Sequence, residues 1–524
     1  MFGAGKEKAA VHVNASGAEE DIQVGETVVV NNDKRKLGVV GAAFLILNKM
    51  VGTGIFATPS GIFASTGSVG ISLMLWVLGG IITFCGLSVF LEFGLAIPRS
   101  GGEKNYLERV YRKPKYMMSC VIAAQMILLV WPSSNALAFG RYTLFAAGVT
   151  QDGWAARGLG VALIIVTNVM CAVAPIWSIR LTNVLGIFKA GVLLFVVLAG
   201  FAALAGHRQI PNPNNFENAF RIESGDGYGG SGATGIASAL LGVIFSYKGW
   251  ESANYIAGEL KNPRKTLALA APMAVGGVTI LYILANVAFF AAVPKSELAK
   301  ADVLVSGLFF RNMFGEYAGV RVLPTFVSIS NVGTVLALSY SHAHVIHEMG
   351  KENLLPYSKL WASTRPFNTP AAAYILQSIM GIIVLIAPPA GPAYGFIINL
   401  TTYPTTWTHA LVTGGLLWLQ FRKSEKWTSP FHSYVPLTLV YLLANIFLLV
   451  VPFVPPAGDP NRNGYPYFLV PVMGTLLLAV GVVYWAIRMK LMPRLGGYKI
   501  EEQRMADENG CEYSVLQKVG PGQR

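Results

Sequence analysis

Residues 48–59 read Asn48-Lys49-Met50-Val51-Gly52-Thr53-Gly54-Ile55-Phe56-Ala57-Thr58-Pro59, in the middle of the first long apolar segment, 37–64. A helix crossing lipid would carry Leu and Ile at this depth, yet here two glycines flank a threonine. Glycine lacks a Cβ and is a poor helix former, so Gly52 and Gly54 let the backbone open and release amides that an intact helix would occupy. Irregular backbone at membrane depth is tolerated only where it is buried in protein or lines a cavity. The stretch therefore predicts a binding cavity; the alternative it leaves open is close helix packing through small residues.

Working outward, the chain of 524 residues is 53% hydrophobic and 13% charged, with a mean hydropathy of +0.51. That charge is too sparse to cover a soluble protein of this size, so the class is an all-α polytopic membrane protein in contact with the lipid bilayer. Apolar segments of about 20 residues, the length that crosses a bilayer, fall at 38–64, 69–97, 117–147, 158–177, 182–205, 235–258, 268–293, 322–347, 371–388, 392–420, 434–452 and 466–489, which makes twelve. Lys and Arg number 23 in one set of alternating connections, beginning at Lys34-Arg35-Lys36, and 9 in the other. The positive-inside rule then puts both termini in the cytoplasm.

The chain divides into an N-terminal tail, 1–36, a membrane domain, 37–490, and a C-terminal tail, 491–524. Both tails are polar and expected to lack structure. The first 33 residues have no apolar core of a signal peptide, and Asn14-Ala15-Ser16, a glycosylation motif, stays inside in this topology. The net charge of +13 sits in short runs between spans as orientation signals, so no nucleic-acid partner is expected. Cys85, Cys120, Cys171 and Cys511 have neither metal-ligand nor disulfide spacing. Residues 101–111 have helical spacing and predict a short amphipathic helix on the cytoplasmic surface. The connection 206–234, rich in Gly, Asn and Pro, predicts an external loop over a mouth.

The sixth segment contains Phe245-Ser246-Tyr247-Lys248-Gly249-Trp250-Glu251. A lysine, a glycine and a glutamate at this depth cannot face lipid cheaply and mark a functional path, unless Lys248 and Glu251 are a paired helix staple far from substrate; Phe245 and Trp250 fit core packing as well as a gate. Two interrupted segments five spans apart are the signature of an inverted repeat, spans 1–5 against 6–10, with substrate bound between the breaks.

With these strings in place, Gly52-Thr53-Gly54-Ile55-Phe56 and Pro59, Leu91-Glu92-Phe93-Gly94 with Ile97-Pro98-Arg99-Ser100-Gly101-Gly102, and Glu259-Leu260-Lys261-Asn262-Pro263-Arg264-Lys265 resemble the amino acid–polyamine–organocation superfamily, in its L-type amino acid transporter branch. Leu47-Asn48-Lys49-Met50 and Gly102-Glu103-Lys104-Asn105-Tyr106-Leu107-Glu108 look like the fungal high-affinity methionine permeases. The resemblance covers 37–490. It implies a LeuT-type fold, a 5+5 inverted repeat plus two further helices, cycling by alternating access. It implies that amides of Gly52, Thr53 and Gly54 hold the substrate carboxylate, as the positive end of a half-helix would. Carbonyls of Phe245, Ser246 and Lys248, with Ile46 or Leu47 opposite, would hold the α-ammonium. Phe245 would close over substrate, and Trp250 and Gly249 would line the pocket with Tyr247. Lys248 departs from the wider pattern and must point away or pair with Glu251. The loop 148–158 lacks the cysteine that joins animal relatives to a heavy chain, so no disulfide-linked heavy chain is expected.

Lys189 is an isolated lysine in the apolar fifth span. One reading is a side chain snorkelling to the interface; the other is an ammonium standing in for the sodium ion of other superfamily members, bridging span one to Ser330, Asn331 and Thr334 of span eight, or relaying a proton. Glu92 and Glu251 are the other proton-carrying candidates. In span three the region of Ser133 and Ser134 faces the substrate in the family, the alternative being ordinary interhelical hydrogen-bond donors, and aromatic faces at Phe245, Trp250 and Tyr247 would suit a thioether. His342, His344 and His347 are expected to be interfacial polar residues rather than a metal site. With no nucleophile–base or metal set in the spans, no enzyme and no cofactor are expected. The expectation is a plasma-membrane importer of L-methionine and related neutral amino acids by proton symport, with an amino acid receptor or a broader exchanger as alternatives, and with cytoplasmic lysines such as Lys6 and Lys8 open to ubiquitination.

Overall fold

The structure is a computed structural model that describes residues 37–129, 132–149, 153–223, 232–300, 305–387, 393–455, 466–506 and 512–519. The tail up to residue 36, with Lys6, Lys8 and Asn14, lies outside them, as does Cys511.

The first predicted span is a bent pair, α1 (Val39–Met50) and α2 (Gly54–Thr66), meeting at 41°. There follow α3 (Val69–Ala96), the short α4 (Glu103–Val110), α5 (Met117–Leu128), α6 (Ser133–Ala147), α7 (Gly153–Val173) and α8 (Pro175–Leu204). The second break separates α9 (Ala233–Tyr247) from the single turn α10 (Ser252–Tyr255). Beyond it come α11 (Pro263–Ala292), α12 (Lys295–Lys300), α13 (Val305–Phe314), α14 (Leu323–Lys351), α15 (Ser358–Trp361), α16 (Ala371–Ile386), α17 (Ala393–Phe421), α18 (Val435–Val450), α19 (Leu469–Ala486) and α20 (Met492–Gly496). Prolines open α8 and α11, where a missing N–H costs nothing and φ is already helical. Pro175 thereby starts the fifth long helix earlier than the predicted residue 182.

Among the described residues eight helices are long and apolar enough to cross a membrane, nine with α1 and α2 as one span. Residues 235–247 of α9 and all of α16 are apolar but shorter. α9 stops at Tyr247 because Lys248 is extended, at φ −62° and ψ 145°, and Gly249 turns to φ +120°. The predicted span 117–147 appears as α5 and α6, with Pro132 at the N-cap of α6. α1 packs against α8, α11 and α14, and α2 against α9, so the two interrupted segments lie at the centre of the bundle. Outer helices expose Met74, Val166, Ile187 and Leu198, the pattern of a lipid-facing surface.

Two expectations are corrected. α4 forms where its spacing predicts, but Glu103, Lys104, Asn105 and Tyr106 are buried rather than displayed. Each polar group is paired: Lys104 with Glu108 at 2.8 Å and with Glu352, Tyr106 Oη donating to Asn254 at 2.9 Å, and Glu103 accepting from Tyr255 Oη at 2.9 Å. Arg99 joins the same cluster through Glu352 at 2.5 Å and Glu348 at 3.3 Å. Burial alone would depress the Lys104 ammonium, but Glu108 and Glu352 beside it hold it above its ordinary value. The C-terminal tail is likewise ordered over part of its length. β1 (Lys499–Ala506) and β2 (Glu512–Val519) pair antiparallel, and Leu516 N–H donates to Glu352 O at 3.2 Å. The polar average of the tail hides a β-forming run, Tyr513-Ser514-Val515-Leu516, whose Val515 and Leu516 become buried.

At the opposite face, the connection 206–223 is tied over the α2–α3 turn. Gly70 N donates to Ala219 O and Glu223 N to Gly67 O, each at 2.8 Å, and Lys295 pairs with Glu223 at 3.1 Å. Residues 224–231 of the predicted loop lie outside the described ones.

Candidate functional site

A cavity of about 130 Å³ sits where the two broken segments face each other. Its size is on the order of the roughly 150 Å³ cavity that admits a benzene ring in an engineered protein. Gly52, Thr53 and Gly54 line one wall, Phe245, Ser246, Lys248 and Gly249 another, with Ser134 of α6 beside them.

The first break exists because α1 ends at Val51, whose N–H reaches back to Leu47 O at 2.8 Å. Gly52 N also turns back, to Met50 O at 2.9 Å, so this expected amide donor is already engaged. The amides of Gly54 and Ile55, at the start of α2, have no backbone acceptor among the described residues. They form the positive end of a helix directed at the cavity. At the second break Phe245 O accepts Lys248 N at 3.2 Å, whereas Ser246 O and Lys248 O take no backbone donor among the described residues. One wall thus offers donors and the other acceptors, the complement of a zwitterion. The walls are close: a Cβ on Gly54 would stand 2.9 Å from Ser246 Cα, and Thr58 Oγ1 meets Ser246 Oγ at 2.8 Å.

Lys189 is 1% exposed, so it does not snorkel. Its Nζ donates to Asn48 O at 2.8 Å, Val51 O at 2.6 Å and Thr334 Oγ1 at 2.7 Å. All three ammonium donors are used, two of them on carbonyls at the negative C-terminal end of α1. Ser330 Oγ reaches Val51 O at 3.5 Å, on the margin of a hydrogen bond. Asn331 donates within its own helix, to Val327 O at 2.9 Å, and is not a partner of Lys189.

Several predicted site residues lie elsewhere. Trp250 packs edge-on against Phe90, ring centroids 4.8 Å apart, and against His409 and Tyr441, and does not line the cavity. Tyr247 is fully buried against Trp76 and Tyr282, with its hydroxyl on Trp76 O at 3.2 Å. Ser133 donates to Gly381 O at 2.8 Å on the far side of α6 from Ser134. Such positions follow from the 100° step between helical neighbours: adjacent residues face different ways. Glu92 accepts from Gln420, Trp427 and Ser433 N, each at 2.8 Å, and lies 3.2 Å from His432. It anchors the connection between α17 and α18, and its saturated oxygens leave it no role at the cavity.

Lys248 does not pair with Glu251; its Nζ donates to Thr405 Oγ1 at 3.2 Å. Glu251 instead forms an ion pair with Lys49 at 3.0 Å and accepts from Gly249 N at 3.1 Å. The Lys49 Nζ also stands 4.7 Å over the Tyr255 ring. Lys49, Glu251 and Tyr255 therefore close one end of the cavity and join the two breaks. His342, expected at the interface, is 1% exposed, lines the cavity, and carries two ring nitrogens without hydrogen-bond partners. An ionisable group inside a span was the signal for both Lys49 and His342; nothing in the sequence marked Tyr255. The apolar lining comes from Phe245, Met50, Met126, Leu129 and Leu338 rather than from the expected cluster of aromatics.

A family profile described as amino acid permease matches residues 37–478. The high-affinity methionine permease of Saccharomyces cerevisiae is 35% identical over 97% of this chain and 88% of its own length. The low-affinity methionine permease of the same yeast is 29% identical over 89% and 84%. The Asc-type amino acid transporter 1 of Mus musculus is 26% identical over 88% and 83%. These relatives are transport proteins rather than enzymes. With its long apolar helices and a profile match across most of its length, the chain is a multi-pass membrane protein belonging to the amino acid permease family.

Proposed function

We propose that the protein is a secondary transporter importing L-methionine and related neutral amino acids by proton symport with alternating access. The observation that carries this reading is the facing of two broken helices, free amides of one against free carbonyls of the other, across a cavity of about 130 Å³. An amino acid presents a carboxylate and an ammonium at fixed separation, and few other small metabolites match both walls. The methionine assignment is supported by the two yeast permeases and by the flexible, apolar end of the pocket at Met126, Leu129 and Leu338. Proton coupling is supported by Lys189, a cation standing between α1 and α14 where it can bias their relative position.

The fold in this reading has twelve spans, α1–α2 through α19, with the 5+5 inverted repeat supported by the recurrence of a break after five spans. The protein sits in the plasma membrane with both termini cytoplasmic, which the basic residues of alternate connections support. The Arg99–Lys104–Glu352 cluster then closes the cytoplasmic side and loop 206–223 the outer one.

The test is uptake of labelled methionine into proteoliposomes under an imposed inward proton gradient. Accumulation that collapses with a protonophore is expected. Binding without accumulation would mark a receptor, and uptake that needs internal amino acid would mark an exchanger.

A further inference from the structure

A second cavity, of about 490 Å³, lies outside the bundle centre, between the C-terminal hairpin, the α14–α15 connection and the end of α19. Lys359, Arg488 and Lys518 line it, and no acidic side chain does. Tyr357, Asn353 and Gln517 add hydroxyl and amide groups. Its walls are held from several directions. Arg488 Nη2 donates to Asn353 O at 2.7 Å and Leu355 O at 3.1 Å, Tyr484 Oη donates to Leu354 O at 2.7 Å, and the hairpin joins through Leu516 N on Glu352 O. Arg488 keeps donors to spare, since a guanidinium carries five. The Lys518 ammonium stands 4.7 Å over the Tyr498 ring, which orients it without neutralising it.

Three cations around one hollow repel each other unless an anion lies between them, and planar guanidinium with ammonium groups is the donor set that takes phosphate. The volume falls in the range of small-molecule sites, roughly 300–1,000 Å³. Along the chain an apolar rim adjoins the lining residues: Leu360 follows Lys359, and Leu491, Met492 and Leu495 lie between Arg488 and Tyr498, all exposed. A soluble anion would need no such rim; a lipid would. We propose that this pocket binds the phosphorylated head group of an anionic lipid in the adjoining leaflet, a phosphomonoester on a hydroxylated ring. Basic pockets at the membrane surface take such groups by charge, and the ring hydroxyls match Tyr357, Asn353 and Gln517. In the orientation proposed above this leaflet is the cytoplasmic one.

The test uses the full chain in phosphatidylcholine nanodiscs, which expose both faces and so report on the pocket whether or not the transport reading holds. Nanodiscs doped with phosphatidylinositol 4-phosphate, with phosphatidylserine or with neither are compared for lipid retained per protein, and soluble inositol trisphosphate is used as competitor. Lys359→Gln with Lys518→Gln, both exposed and outside the Arg488 bonds that hold the pocket, is expected to lower phosphoinositide affinity about 30-fold, at about 1 kcal/mol per lysine. Lys423→Gln with Lys426→Gln, on another connection, is expected to leave it unchanged. A soluble competitor matching the lipid, and lost in the same variant, would keep the phosphate site and move its ligand to the cytosol. Equal binding by the pocket variant, equal loss in the control pair, or equal retention of phosphatidylserine would each overturn the proposal.

Discussion

At the scale of single residues, Lys189 is held by three hydrogen bonds in a buried place. Trimming this ammonium removes all three and the only charged donor on Asn48 O and Val51 O among the described residues, leaving them the Thr334 hydroxyl at 3.1 and 3.4 Å. Lys189→Ala is expected to cut proton-driven methionine uptake by about 10- to 100-fold, taking about 1.5–3 kcal/mol for a hydrogen bond to a charged group. Unchanged pH dependence of the remaining uptake would remove it from coupling. Gly54 is constrained by space rather than charge. A leucine there would collide with the Ser246 backbone, so Gly54→Leu is expected to insert normally, by surface labelling, yet transport nothing. Trp250 shows the opposite behaviour. Its ring packs on Phe90 and His409 away from the cavity, so Trp250→Phe is expected to lower the melting temperature while leaving the KM for methionine unchanged.

At the scale of elements, the two breaks are held together by Lys49 and Glu251. Glu251 is buried and Lys49 partly so, and removing Lys49 strands the carboxylate in a poorly solvated place. Lys49→Met is expected to destabilise the detergent-solubilised protein by about 3–5 kcal/mol, and adding Glu251→Gln to restore most of that loss. A thermal-shift series over wild type, both single variants and the double variant reads this directly, and additive losses would mean the pair contributes nothing. That each interrupted segment would break was legible from Gly52, Gly54 and Gly249, because backbone propensity is local. That Lys49, three residues before one break, would meet Glu251, two residues after the other, was not, because pairing depends on how α1 and α10 lie in space. Lys248 was the nearer partner in sequence, and the turn at Gly249 sends it toward Thr405 instead.

At the scale of the whole molecule, the proposed transport cycle needs a seal on each side of the cavity, and the ion-paired cluster of Arg99, Lys104, Glu348 and Glu352 and the tied loop 206–223 are the candidates. Transport by alternating access requires one seal to open at a time. Glu352→Gln weakens the first, so a cysteine introduced as Leu338→Cys is expected to react several-fold faster with a membrane-impermeant thiol reagent added on the side where Glu352 lies. No change in that rate would show that the cluster is not part of the gate. The tail hairpin joins this seal through the Glu352 carbonyl, a link that no polar average over the tail could predict.

The sequence alone determined that this is a membrane-embedded helical protein, which segments are interrupted and which span carries an isolated lysine. Those properties depend on hydropathy and on backbone preferences read over a few residues. Only the tertiary structure decided which side chains share the cavity. It retained Ser134 and dropped Ser133, kept Phe245 and sent Tyr247 and Trp250 to the packing around it, and brought in Lys49, Tyr255 and His342. The rotation of a helix about its axis is set by all its neighbours at once, and one residue's shift turns a lining group into a core one.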